Sequence, residues 1–289
     1  MIDSSKITIG YNLSGQDFFD WIKDKNVHSV FFSPTHNGYN QKFDENVFYD
    51  NFKKINTFNV PMNLLLNSFS DEKHWLELIE KYKNICNITS ITCLSPTMAK
   101  MIKEKYPNLE LHLSVQTSNY HSYKSCGIFD YVNINGAFNF SKEKIEKYRK
   151  YSKIKFIANE GCIVGRYKNY SKLDNFGMFE CKCCNNTCQK MEELYPWLVL
   201  TRINLYKEFL NYVDIDLIKF ASREISLDNI KLMYDYWVSE TPTKIIGNKI
   251  EIKNYKAYNK WIEKRLNDCI MDCSTCRFCK KIYEEIICS

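Results

Sequence analysis

The sequence predicts a (β/α)8 barrel, a TIM-like fold of the α/β class. Short segments rich in β-branched and aromatic residues alternate with amphipathic helical segments from the N-terminus to about residue 240. Eight such units in a chain of 289 residues favour closure into a barrel over a doubly wound sheet, which would alternate in the same way. Only Gly10 and Gly15 lie near the end of the first strand, and they are too sparse for a glycine-rich phosphate loop.

Each predicted strand is a short apolar run bounded by polar or turn-forming residues. In the helix after the third strand, Trp75, Ile79 and Tyr82 share one face, and Ser70 is the predicted N-cap. The eight strands are predicted at residues 6–12, 28–34, 61–67, 90–96, 110–116, 131–136, 153–160 and 217–224.

Two segments interrupt this alternation and define the predicted domain organisation. A barrel over residues 1–240 carries a cysteine-rich insertion at residues 161–190, directly after the seventh strand. Residues 241–289 form a cysteine-rich tail, in which a helix at 254–266 leads into the last group of cysteines.

Nine of the thirteen cysteines form two tight groups, one in each of these segments, and the tail group places four sulfurs within eleven residues. This spacing suits thiolates that converge on one soft metal centre, whereas disulfides rarely need it. The sequence therefore predicts metal binding, with iron–sulfur as the leading candidate. The insertion holds Cys162, Cys181, Cys183, Cys184 and Cys188, and the tail holds Cys269, Cys273, Cys276 and Cys279.

In the insertion, Cys162 follows the seventh strand, at the end of the barrel where reacting groups gather. With Cys181, Cys184 and Cys188 it predicts four thiolates that hold a [4Fe–4S] cluster at this mouth. Cys183 is then spare, or it exchanges roles with Cys181. A structural zinc loop outside the active site is the alternative.

The tail group predicts a second, fully ligated [4Fe–4S] cluster, again with zinc as the alternative. Cys269, Cys273 and Cys276 have the spacing that radical S-adenosylmethionine enzymes use. In that superfamily the motif follows the first strand, whereas here it lies beyond the eighth unit, and Cys279 supplies a fourth sulfur. Radical chemistry is therefore a lesser alternative. The isolated Cys86, Cys93 and Cys126 are predicted to pack in the core.

The strand ends supply the candidate residues for chemistry and binding. Glu160 and His36 are predicted to transfer protons, and the planar fork of Arg223 is predicted to anchor an anionic group. The full set at the predicted mouth is polar and mostly neutral: Ser33, Thr35, His36, Asn67, Ser95, Gln116, Ser118, Asn133, Asn135, Asn159, Glu160, Cys162, Arg223 and Glu224.

Composition and charge narrow the function further. The N-terminus has no signal-peptide pattern and no apolar run approaches a bilayer span, which predicts a cytoplasmic protein without membrane association. The net charge of +6 comes from basic residues that are interspersed with acidic ones, so nucleic acid is a possible partner but not a favoured one. Neither a Gly-x-Ser-x-Gly nor a His-Glu-x-x-His motif is present, which argues against a hydrolase.

The chain resembles the peptidase U-32 (collagenase-like) family over roughly residues 85–240. The resemblance lies in LELHLSVQTSNYHS, FDYVNING, KFIANEGC with its clustered cysteines, and DIDLIKFASREISLDNIKLMYDYW. It implies an iron–sulfur barrel that acts in oxygen-independent hydroxylation, with Cys162 as the first family cysteine and Cys184 and Cys188 as a later pair. The family has a second cysteine soon after a Gly-Arg pair, but Tyr167 follows Gly165 and Arg166 here, so the resemblance is that of a divergent member.

Together these observations predict an iron–sulfur redox or hydroxylation enzyme acting on a small metabolite, a peptide or an RNA base. A companion barrel protein and an electron donor are the expected protein partners. The alternative is a non-catalytic barrel, stabilised by a cluster or by zinc, that acts as a binding subunit.

Overall fold

The structure is a computed structural model, and its fold is built on eight parallel strands. Strands β1 to β8 span Ile7–Gly10, Ser29–Phe32, Met62–Leu66, Ile88–Cys93, Glu110–Leu113, Tyr131–Asn135, Lys153–Ile157 and Leu217–Phe220. The structure describes residues 2–11, 15–34, 45–55, 57, 59–67, 72–118, 121–135, 141–158, 210–220, 226–239, 252–268 and 276–288.

These strands form one closed barrel in chain order, because β8 pairs with β1 as well as with β7. The predicted fold class is therefore confirmed, and each predicted strand overlaps an observed one. The insertion at 161–190 lies outside the described residues, so that part of the predicted organisation stays a prediction.

The described helices lie between the strands and beyond the barrel. A short 3-10 helix, Ser4–Lys6, precedes β1 and another, Ser125–Ile128, precedes β6. Numbered in chain order, helices α1 to α8 span Gln16–Ile22, Glu45–Phe52, Glu72–Lys83, Pro96–Lys105, Lys142–Arg149, Leu227–Val238, Tyr255–Asn267 and Phe278–Ile287.

Side-chain caps fix where several helices begin. The Ser95 hydroxyl accepts a hydrogen bond from the Met98 amide at 3.2 Å, and Pro96 occupies the first turn of α4, where the missing N–H costs nothing. Ser141 caps α5 and Asn254 caps α7 in the same way. Strand β4 consequently ends at Cys93, three residues before the predicted end, because Ser95 is already the N-cap of α4.

The main hydrophobic core lies between the outer face of the barrel and the helices. Trp75, Ile79 and Tyr82 of α3 are all buried in it, which confirms the predicted face of that helix. Cys86, Cys93 and Cys126 are buried there too, as predicted. Burial raises the pKa of the Cys86 and Cys93 thiols to about 12, so both stay protonated and inert at neutral pH.

The inside of the barrel is polar, which is unusual because branched apolar residues dominate most such barrels. In a barrel of this type, the residues that share one interior layer are not directly paired. From each strand to the next, the layer moves by about one residue toward the C-terminus relative to the paired residue. By that stagger Thr8, Asn63, His112 and Lys155 share one layer of alternate strands, and all four are buried. On the same reckoning Phe31, Thr92, Asn133 and Lys219 form the layer above, toward the C-terminal ends of the strands.

The described helices of the tail pack on each other through a buried seam. Tyr258 and Trp261 of α7 and Ile282 and Ile286 of α8 are buried. The Ile286 carbonyl accepts hydrogen bonds from two backbone amides, those of residues 253 and 254, at 3.0 Å each. Helix α7 also contacts α5 of the barrel, so this part of the tail is anchored to the fold.

Replacing Ile286 with alanine tests that anchoring. Ile286 is 0% exposed, and its truncation should lower the free energy of unfolding by about 2–5 kcal/mol, the usual cost of a buried large-to-alanine change. Leu232→Ala is the matched control, since Leu232 is 49% exposed and its loss should change stability by less than about 0.5 kcal/mol. Urea unfolding measures both, and equal effects would show that α8 is not part of the cooperative fold.

Candidate functional site

The C-terminal ends of the strands form one face of the barrel, here called the mouth, and they carry buried oxygen atoms that have no hydrogen-bond partner among the described residues. The atoms are Ser33 Oγ after β2, Asn67 Oδ1 after β3, Gln116 Oε1 after β5 and Asn133 Oδ1 on β6. All four residues belong to the predicted mouth set. Because buried polar atoms are nearly always satisfied, four of them at one face indicate a place for a polar ligand or water.

Asn133 shows how the barrel positions such an atom. Its Nδ2 donates a hydrogen bond to the Leu113 carbonyl at 2.6 Å, which fixes the orientation of the amide. Oδ1 is thereby held in the interior as an acceptor, and the residue is almost fully buried. An interior N–H or O–H donor from a ligand would satisfy it.

Two other predicted mouth residues serve the backbone instead. Ser95 is the cap of α4, and its hydroxyl accepts from Met98. The Ser118 hydroxyl donates to the Val115 carbonyl at 3.4 Å, while the Ser118 carbonyl accepts from the Tyr148 hydroxyl at 2.7 Å. We therefore assign both residues to local structure and not to ligand binding.

Most of the predicted catalytic and ligating residues lie outside the described part of the chain. Of the predicted metal ligands, Cys276 and Cys279 are described, and both are of intermediate exposure. Within the described ranges, no three His, Cys, Asp or Glu side chains form a metal-binding group. The predicted residues that fall outside are His36, Glu160, Arg223, Cys162, Cys181, Cys184, Cys188, Cys269 and Cys273.

The two described tail cysteines flank a turn at the start of α8. Arg277 lies between them in the left-handed conformation, with φ of 50°. That conformation costs a non-glycine residue roughly 1–2 kcal/mol. Helix α7 ends at Asn267 and α8 begins at Phe278, so Cys269, Cys273 and Cys276 fall between the two helices in the sequence and Cys279 lies in the first turn of α8.

A group of ionisable side chains inside the barrel was not predicted from the sequence. His112 Nδ1 lies 2.9 Å from Lys155 Nζ, and His112 Nε2 lies 2.5 Å from Glu110 Oε1. Glu110 Oε1 is also 3.4 Å from His28 Nε2. The alternation in ELHL and KIKFI was the available signal, because it places Glu110 with His112, and Lys153 with Lys155, on common strand faces.

Burial decides the charge states of this group. Burial, helped by the positive charge of Lys155, lowers the pKa of His112 to about 3, so its imidazole is neutral at physiological pH. The pKa of Lys155 is lowered well below its usual value, first by burial and then by repulsion from Lys219. Burial raises the pKa of Glu110, but hydrogen bonds from His112 and His28 outweigh it and bring the pKa below its usual range.

The upper interior layer adds a second lysine below the mouth. Lys219 Nζ lies 4.2 Å from the centre of the Phe31 ring, a cation–π distance. Asn63 links the interior layers, since its Nδ2 donates to Ser90 Oγ at 2.7 Å and its Oδ1 accepts from Thr92 Oγ1 at 2.8 Å. The interior is thus a hydrogen-bonded polar column that ends beneath the mouth.

The chain is similar to the solved structure of the U32 peptidase Mk0906, with 12% sequence identity and a TM-score of 0.41, over 76% of this chain and 93% of that one. No protein-family model matches the chain, and no curated protein matches it. In the described part of the chain, no helix has the length and apolar character needed to cross a membrane.

The buried imidazole predicts a specific acid sensitivity. The unfolded chain binds a proton at His112 below about pH 6.5, whereas the folded protein resists it down to about pH 3. The stabilisation is therefore complete above pH 6.5 and is lost as the pH falls toward 3. Between pH 7 and 5.5 the wild type should lose about 1 kcal/mol more unfolding free energy than His112→Gln. Urea unfolding at both pH values measures this, and parallel losses would contradict the neutral buried state.

Proposed function

We propose that the protein is an iron–sulfur barrel enzyme that carries out oxygen-independent redox or hydroxylation chemistry on a small-molecule or peptide substrate at the mouth. The observation that carries this proposal is the short stretch of chain between the end of strand β7 and the first clustered cysteine. Strand β7 ends at Ile157 and Cys162 follows five residues later, so the first clustered thiol lies within about 17 Å of that strand end. The same face holds the four buried oxygens for which the described part of the chain offers no partner.

The cysteine sets fit an iron–sulfur centre by their chemistry, because closely spaced thiolates prefer soft metals. At the mouth, Cys162, Cys181, Cys184 and Cys188 would hold a [4Fe–4S] cluster, which supplies electron transfer or substrate activation. In the tail, coordination by Cys276 and Cys279 would offset the cost of the left-handed Arg277 between them. The tail centre, completed by Cys269 and Cys273, would serve as an electron relay or a structural staple.

Chain positions also support the proposed roles of Glu160 and Arg223. Glu160 follows the end of β7 by three residues and Arg223 follows the end of β8 by three. Since β7 and β8 are paired neighbours, both side chains start within about 10 Å of adjacent strand ends. Glu160, together with His36 after β2, would move protons, and Arg223 would bind an anionic group of the substrate.

The polar mouth would contribute binding and not the chemical step. Asn133, Asn67 and Gln116 offer buried amide oxygens, which recognise N–H and O–H donors of a neutral part of the substrate. A site built from such groups rejects analogues that leave them unpaired. This arrangement favours a polar small molecule or peptide over an apolar one, with an electron-donor protein or companion barrel as partner.

Metal analysis of cysteine variants tests the cofactor. Anaerobically purified protein should contain iron and sulfide and absorb in the visible range. Cys162→Ser should remove the mouth centre and Cys276→Ser the tail centre, each lowering iron by about half. Cys288→Ser is the matched control, because Cys288 is exposed and outside both groups. A colourless protein with stoichiometric zinc would refute the redox proposal and favour the non-catalytic, zinc-stabilised barrel.

Substitution of the proposed mouth residues separates an enzyme from a binding subunit. Glu160→Gln and Arg223→Met should leave the iron content and visible spectrum unchanged but abolish complementation of a deletion strain. The expected loss for a proton-transfer group is about 10²–10⁴ in rate. Glu143→Gln, a change on the exposed surface of α5, serves as control. Full complementation by both mouth variants would favour the binding role.

A further inference from the structure

Four ionisable side chains form a continuous line from the N-terminal side of the barrel to its interior. His28 precedes β2 and Glu110 begins β5, and their side chains are 21% and 29% exposed. Beyond them, His112 and Lys155 are fully buried. The successive separations are 3.4 Å, 2.5 Å and 2.9 Å, so each group is within reach of the next.

The hydrogen-bond directions along this line follow from the groups themselves. An ionised Glu110 only accepts, so His112 Nε2 carries the proton and donates it. In a neutral imidazole the other nitrogen is then an acceptor, and Nδ1 accepts from Lys155 Nζ. From Lys155 to Glu110 the donors therefore point from the interior toward the N-terminal face, and His28 Nε2 faces Glu110 Oε1 from the opposite side.

The charged and titratable neighbours of this line come from several strands. Lys219 of β8 faces Lys155. The Tyr131 ring of β6 lies 4.9 Å from the His112 ring and 5.8 Å from the His28 ring, between centroids. Tyr131 therefore covers the outer half of the line. The inner end of the line, at Lys155, lies one layer below Asn133 and Lys219, which are nearer the mouth.

We propose that His28, Glu110, His112 and Lys155 form a proton path between the N-terminal face of the barrel and the interior beneath the mouth. The proposal rests on the proposed function, since redox chemistry at the mouth moves protons as well as electrons. Lys155 is the inner terminus, Glu110 is the outer acceptor, and His112 transmits the proton between them.

The transfer moves one proton along the path and leaves the total number of protons on the relay groups unchanged. Protonated Lys155 Nζ passes one proton to His112 Nδ1. The Nε2 proton of His112 moves at the same time to Glu110 Oε1, which releases it to water. The amine then regains a proton from the interior, and the imidazole remains neutral with its proton on the other nitrogen. The reverse order, which starts from the Nδ1–H tautomer, delivers a proton inward.

The five histidines of the chain make a nitrogen-15 histidine NMR experiment practicable. His112→Gln assigns the His112 signals in the protein as purified, without substrate. We expect the Nε2–H tautomer in the wild type. We also expect exchange of this proton with solvent to slow at least tenfold in Glu110→Gln, because an amide cannot take the proton from Nε2. Glu143→Gln, which removes an exposed carboxylate on α5, should leave the exchange unchanged.

A second variant tests the inner end of the path. In Lys155→Met the His112 pKa should rise by at least one unit, because a positive neighbour that lowers it is removed. The Nδ1–H tautomer in the wild type, unchanged or faster exchange in Glu110→Gln, or an unshifted His112 in Lys155→Met would each overturn the path. These readouts need neither iron nor turnover, so an iron-free protein that still shows them would refute only the proposed function.

Discussion

Closure of the sheet between its first and last strands is the constraint on which the rest of the molecule depends. Ile7 pairs with Ile218 and Ile9 with Phe220, so the barrel has no free edge and its backbone groups are satisfied within the sheet. Closure also separates two environments. The outward faces of the strands pack against helices in an apolar core, while the inward faces are confined to a narrow interior where polar side chains must satisfy one another.

The interior meets this demand by pairing and by neutralisation. Asn63 bridges Ser90 and Thr92, and His112 bridges Lys155 and Glu110. Keeping the His112 imidazole neutral avoids the large penalty for burying isolated charge. Among the described residues, buried polar atoms without a partner are concentrated at the mouth, as at Asn133 and Gln116. A protein built only for stability would fill these positions with branched apolar side chains, so this interior indicates binding or catalysis.

The sequence predicts the barrel well because its signals are local and repeated. All eight strands were found from apolar runs, and the α3 face of Trp75, Ile79 and Tyr82 was found from helical spacing. The interior cluster was missed because alternation shows that Glu110 and His112 share a face but not that this face points inward. Lys155 gave no indication of the cluster, since a lysine in a strand usually marks solvent. Ser95 follows the end of β4 as predicted, and the proline after it indicates its role as a helix cap.

The line through His112 and Lys155 has a consequence for how the chain folds. These two residues are 43 positions apart in sequence and lie on strands separated by β6. Burying either side chain is unfavourable until the other is in place as its hydrogen-bond partner. Dehydration of the interior must therefore wait until the ring of strands has assembled. Apolar contacts outside the sheet can form earlier, strand by strand. The centre of this barrel is therefore the last region to lose water during folding and the first to be hydrated again when the ring opens.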